Sequence, residues 1–212
     1  MQQDLTEIIM VVDRSGSMKS VEKEANIGIN LFIKAQRDLP GRGNLTLVQF
    51  DTEYEFVHRG VPIADVPEYK LVPRGWTALL DAVGRGIVET GERLEKMLEQ
   101  DRPGLVVCVI VTDGHENSSR EFKLEQIKSM IEHQRDVYKW QFNFLGADAA
   151  AFDDAARMGI PMAAAANYDL KELIAVYGLT SDVIARMRTA ASAGRNVSNV
   201  FTEAERRKMR GE

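Results

Sequence analysis

Two short runs in this chain are apolar without interruption, Ile8–Val12 and Leu105–Val111. Neither alternates with polar residues, so each reads as a strand buried on both faces, the pattern of a parallel sheet covered on both sides. Both runs stop at a polar turn: Asp13-Arg14-Ser15-Gly16-Ser17 after the first and Thr112-Asp113-Gly114 after the second. Helical spacing follows the first turn (Val21, Ala25, Ile29, Phe32, Ile33), and Pro40-Gly41 closes it. Leu45–Phe50 reads as another strand, and Glu53–His58 as a short antiparallel edge strand turned back at Asp51-Thr52. Residues 59–75, with three prolines, read mostly as loop. A long helical pattern opens at Thr77 and runs through Leu98, with Gly84, Gly86 and Gly91 inside it. Each of these glycines costs about 1 kcal/mol relative to alanine. Close packing against the sheet is the expected compensation.

Farther on, residues 122–131 and 170–193 have helical spacing, while 140–145 and 161–165 have strand character. Asp148 resembles the N-cap of a helix that Gly159 ends. Strands alternating with helices predict an α/β fold: a doubly wound, mostly parallel central sheet with helices on both faces. One domain is expected over residues 1–194, with a charged C-terminal tail or helical extension over 195–212. The net charge of −5 gives no broad attraction to nucleic acid or to anionic membrane. The single cysteine, Cys108, can form no intramolecular disulfide and reads as a buried small hydrophobe. The N-terminus lacks the features of a signal peptide, and no apolar stretch approaches a membrane span, so cytoplasmic residence is the expectation.

In an open parallel sheet the ligand site lies beyond the carboxyl ends of the strands. Three polar groupings fall there or at a helix start: Asp13, Ser15 and Ser17; Thr77; and Asp113. Together they offer carboxylates and hydroxyls, all oxygen, which suits Mg²⁺ and also Mn²⁺ or Ca²⁺. Two aspartates just balance a divalent cation, and helix N-termini near Ser17 and Thr77 would weaken its binding. Such a cation stays electrophilic, and a carboxylate from outside would complete its shell. His58 and His133 have no ligand spacing that would point to zinc.

Asp13-Arg14-Ser15-Gly16-Ser17, Thr77 within Gly-Trp-Thr-Ala-Leu, and Asp113 within Val-Thr-Asp-Gly resemble the metal-ion-dependent adhesion site of von Willebrand factor type A (VWA) domains. The order and the strand-end placement match, over about residues 5 to 165. The resemblance implies that Ser15, Ser17 and Thr77 ligate the metal directly, and that Asp13 and Asp113 ligate it directly or through water. It also implies a protein partner that supplies a glutamate or aspartate. The lone cysteine, the missing leader and the segment Phe144-Leu-Gly-Ala-Asp148 bring it closest to small stand-alone cytosolic bacterial or phage-encoded members, some of which work beside AAA ATPases.

Arg14, Trp76, His115 and Glu116 are the candidate partner-binding rim, and Arg74 also flanks the site. No nucleophile–base pair is apparent, so an enzyme is not expected. The alternatives are a metal-dependent hydrolase or phosphoryl-transfer enzyme, with Glu116 or His115 as base, and a self-assembling structural protein with residues 170–212 as an arm. The basic stretch Arg206-Arg207-Lys208, diluted by acids, reads as a solvated helix face.

Overall fold

A computed structural model describes residues 1–147 and 150–212, and at 150–152 the backbone alone. The N-cap role expected of Asp148 lies outside the described residues. Six strands form one sheet: β1 (Gln2–Asp13), β2 (Arg42–Phe50), β3 (Tyr54–Pro62), β4 (Pro103–Thr112), β5 (Gln141–Gly146) and β6 (Ala165–Asn167). Their order is β3-β2-β1-β4-β5-β6, all parallel except β3, which runs antiparallel to β2. The helices are α1 (Glu22–Asp38), α2 (Leu79–Glu95), α3 (Leu124–Tyr138), α4 (Ala150–Arg157), α5 (Leu173–Ser192) and α6 (Glu203–Met209). None of the described helices is long and apolar enough to cross a membrane.

The apolar runs are buried on both sides, as their lack of alternation requires. Ile8, Met10 and Val12 of β1 pack with Ala25, Ile29 and Phe32 of α1 and Tyr177 and Met187 of α5. Ile9 and Val11 point the other way, to Val83 and Ile87 of α2 and Ile127 and Ile131 of α3. Cys108 lies in this second layer, fully buried. The chain builds outward from β1 through β2 to β3, then crosses back to place β4 on the other flank of β1. That reversal opens a crevice above the carboxyl ends of β1 and β4, where Asp13 and Asp113 stand.

Several elements differ from expectation. The edge strand continues to Pro62, because two register shifts and Gly60 at φ +64° let it follow β2 past His58. The α2 helix begins at Leu79 and ends at Glu95, leaving Met97 and Leu98 outside. Of its glycines, only Gly86 packs on the sheet, near Ile9, Val11 and Val48. At Gly84 the neighbour is the Phe122 ring, 2.6 Å from where a Cβ would stand. Near Gly91 only Gln134 comes close, so sheet packing does not explain that glycine. Residues 162–164 form a 3₁₀ turn, and the last strand starts at Ala165.

Residues 195–212 carry α6, which buries Met209 and, just ahead of it, Phe201 in the α1–α5 layer. Arg206 is not solvated as expected: its guanidinium donates to the carbonyls of Met162, Ala163 and Ala165.

Candidate metal centre

Strand β1 ends on Asp13, 1% exposed, and β4 ends one residue before Asp113. Asp13 is held from two sides: the Ser15 N–H donates to Oδ1 at 2.7 Å and the Thr112 hydroxyl to Oδ2 at 2.7 Å. On the Asp113 side, Ser17 donates to Oδ1 at 2.9 Å and Ser15 at 3.4 Å, and the two serine hydroxyls lie 3.0 Å apart. Thr77 closes the group. Its hydroxyl oxygen is 3.7 Å from where a Cβ on Gly114, the residue after Asp113, would stand. All five residues proposed from sequence therefore converge at one strand-end crevice.

The loops are locked together by backbone. Arg14 N–H donates to Phe50 O, Arg74 N–H to Arg14 O, Gly16 N–H to Gly75 O and Ala78 N–H to Asp51 O. Gly75 sits at φ +68°, and a Cβ there would come within 2.6 Å of the Thr52 hydroxyl. Only glycine fits this crossing. Asn117 then clamps Thr77 at both ends: Thr77 N–H donates to its Oδ1 at 2.9 Å, and its own N–H donates to Thr77 O at 3.0 Å.

The electrostatics decide what the crevice can hold. Burial pushes the Asp13 carboxyl up to about 6, against hydrogen bonds from Thr112 and Ser15, and the nearby Asp113 charge adds to the rise. Burial likewise raises Asp113, against the Ser17 and Ser15 hydroxyls. Neither carboxylate has a basic partner among the described residues, although buried charges are normally paired. Among the described residues, no group of three His, Cys, Asp or Glu side chains is placed to hold a metal ion. The donor set is thus two carboxylates with hydroxyls, hard oxygen throughout, and it fits a Mg²⁺- or Mn²⁺-like cation.

The four rim candidates differ in exposure. Arg14 is 6% exposed and bound to Asp51 at 2.8 Å and Glu55 at 3.0 Å, so its guanidinium is taken up inside the fold. Glu116 is also spent. It accepts from the N–H groups of Leu80, Ser118 and Ser119 and from the Ser119 hydroxyl, at 2.7–2.9 Å. One of these donors, the Leu80 N–H, belongs to the first turn of α2. Trp76, by contrast, is 68% exposed. His115 is exposed, with Nδ1 3.3 Å from Asp154 Oδ2.

Two acids carry the architecture and were not recognised from sequence. Asp51, 4% exposed, accepts from Arg14, from Arg74 and from the Glu53 N–H. Burial works against its charge, but Arg74, Glu53 N–H and Arg14 together hold the carboxyl below its ordinary value. Asp81 accepts three consecutive backbone N–H groups, from Arg120, Glu121 and Phe122, and ties the segment after β4 to α2. The turn-forming pair Asp51-Thr52 was the one local signal of either role.

No protein-family model matches the sequence, and no curated protein matches it. Solved structures share the fold. The proximal thread matrix protein 1 of the mussel byssus, described with a zinc-occupied MIDAS motif, is 15% identical, with a TM-score of 0.61 over 85% of this chain and 48% of that one. A von Willebrand factor type A protein from Catenulispora acidiphila is 12% identical, with a TM-score of 0.57 over 88% of this chain and 42% of its own. Manganese-loaded TRAP protein of Plasmodium vivax is 14% identical, with a TM-score of 0.56 over 83% and 73%. The fold is that of VWA domains, and the chain spans about half the length of the mussel protein.

Proposed function

We propose that this chain is a metal-dependent protein-binding module in which Asp13, Ser15, Ser17, Thr77 and Asp113 hold a divalent cation, Mg²⁺ by preference. The observation that carries this reading is a buried carboxylate, Asp13, beside a half-buried one, Asp113, with no basic partner for either among the described residues, facing hydroxyls at the crevice between β1 and β4. A bound cation supplies the charge these carboxylates lack and an electrophilic position for a partner's glutamate or aspartate. Ser15 N–H and Thr112 orient Asp13, Ser17 orients Asp113, and Asn117 fixes the Thr77 loop. Two structures of the same fold are described with metal, zinc in one MIDAS motif and manganese in TRAP, which supports the assignment. An AAA ATPase or another assembly component is the proposed kind of partner, in the cytoplasm.

The enzyme alternative loses its first candidate base, since the Glu116 carboxylate is saturated by donors that build the loop. The assembly-arm alternative loses its arm, since Met187, Phe201 and Met209 pack on the chain's own sheet. The test uses Mn²⁺ and water-proton relaxation. Wild type is expected to enhance relaxation on binding Mn²⁺, added acetate to reduce that enhancement, and Asp113→Ala to abolish it. Absence of uptake by wild type, or undiminished uptake by Asp113→Ala, would refute the assignment.

A further inference from the structure

The two sides of the metal centre differ in charge and shape. On the α4 side, a cavity of about 340 Å³ is lined by His115, Glu116, Asp154 and Arg157 over Leu79 and Met158. Its carboxylates are already answered: Glu116 by its four donors, Asp154 by Arg157 at 3.3 Å and by His115. On the opposite side lies an open shelf of about 530 Å³, lined by Thr52, Trp76, Asn117, Ser118, Ser119 and Arg120. This lining contains no carboxylate, and its one formal charge is Arg120. Arg120 is exposed, and among the described residues no acid forms an ion pair with it.

Trp76 stands on the same shelf, 68% exposed, on a backbone hydrogen-bonded on both sides. Its own N–H donates to the Thr52 hydroxyl at 3.0 Å, Gly75 before it is wedged against Thr52, and Thr77 after it is clamped by Asn117. An exposed indole on a hydrogen-bonded backbone, beside an uncompensated guanidinium, is the composition of an interface anchor. The shelf also touches the metal centre, because Asn117 lines the one and clamps Thr77 in the other. In a chain of net charge −5, the cationic character of this shelf is local.

Resting on the metal-centre reading above, we infer that the partner presents an acidic segment with two carboxylates: one for the cation, and a second for Arg120, with an apolar side chain between them lying on Trp76. Arg120 and Trp76 are specificity determinants, separate from the five metal-holding residues. The second carboxylate is directed to the shelf and not to the α4-side cavity, where two acids already stand.

The test is an NMR titration of the full chain in Mg²⁺ with short capped peptides containing Asp-Leu-Glu, Glu-Leu-Asp, Asp-Leu-Gln or Asp-Gly-Glu, with Mg²⁺ uptake measured on the same samples by calorimetry. One of the two orders of the diacidic peptide is expected to bind about threefold tighter than Asp-Leu-Gln, the size of one exposed ion pair. That advantage should vanish in Arg120→Gln, with Mg²⁺ uptake unchanged. Replacing the leucine by glycine should weaken wild type several-fold and leave Trp76→Ala indifferent. If Mg²⁺ binds but the mono- and diacidic peptides bind alike, or Arg120→Gln keeps the preference, this inference falls while the metal centre stands. If wild type takes up no Mg²⁺, both fall.

Discussion

Glu7 and Asp13 lie on the same strand, are equally buried, and are satisfied in opposite ways. The Glu7 carboxylate meets Arg93 at 2.6 Å and the Thr46 hydroxyl at 2.8 Å through Oε1, although its Oε2 is buried with no hydrogen-bond partner. The Asp13 carboxylate meets an N–H and a hydroxyl, and the neighbouring Asp113 charge is of its own sign. Glu7 carries its counter-charge inside the fold. Asp13 has none among the described residues and, in the proposed function, receives one from solution. A buried acid is therefore informative about function only after its partners are counted.

The largest expected effect comes from taking the internal partner away. Arg93→Met should strand Glu7 and cost about 3 kcal/mol in urea unfolding at neutral pH. A loss below about 0.5 kcal/mol, within the range of ordinary surface substitutions, would show that Glu7 is not held as described. Asp81 represents a third arrangement, a carboxylate answered by three backbone N–H groups. Asp81→Asn presents an amide to one of those donors and should cost about 2 kcal/mol. Amide exchange at Arg120–Phe122 should quicken, and unchanged exchange would mean the segment is held by other contacts.

At Asp13 the comparison turns on added metal. With Mg²⁺ at ten times its dissociation constant, wild type should gain about 1.4 kcal/mol, read as a rise in melting temperature. Asp13→Asn should lose that gain while staying within about 1 kcal/mol of wild type in chelator. Equal Mg²⁺ stabilisation of both proteins would erase the distinction from Glu7.

The smallest effect concerns pH. Burial, against the pull of Arg93 and Thr46, holds the Glu7 carboxyl above its ordinary 4.5. The folded chain thus binds this proton more tightly than the unfolded chain, and ionising Glu7 costs stability as pH rises from 4.5 through the raised value. The gap between wild type and Glu7→Gln should move against wild type over that window. A gap that moves the other way would mean Arg93 outweighs burial.

Much of the fold was legible because burial on both faces removes alternation, and Ile8–Val12 and Leu105–Val111 show this directly. The five residues of the candidate centre were legible for a related reason: they follow strand ends, where a doubly wound sheet places its crevice. The rim was not. Arg14 and Glu116 are the kinds of residue that face a partner, yet one is drawn inward by Asp51 and Glu55 and the other by open N–H groups at the start of α2. Those partners are distant in sequence or lie across a loop. Glu7 was missed for the same reason, since a single acid ahead of an apolar run gives no sign of Arg93 on α2.

By itself the sequence determined the layer order, the strand-end position of the carboxylates and the oxygen character of their neighbours, because periodicity and turn chemistry are local. Only the tertiary structure decided which charges are already paired. Pairing depends on distances between segments far apart in the chain, and that left Asp13 and Asp113 without a cation among the described residues, Arg120 without an acid there, and Trp76 on the surface.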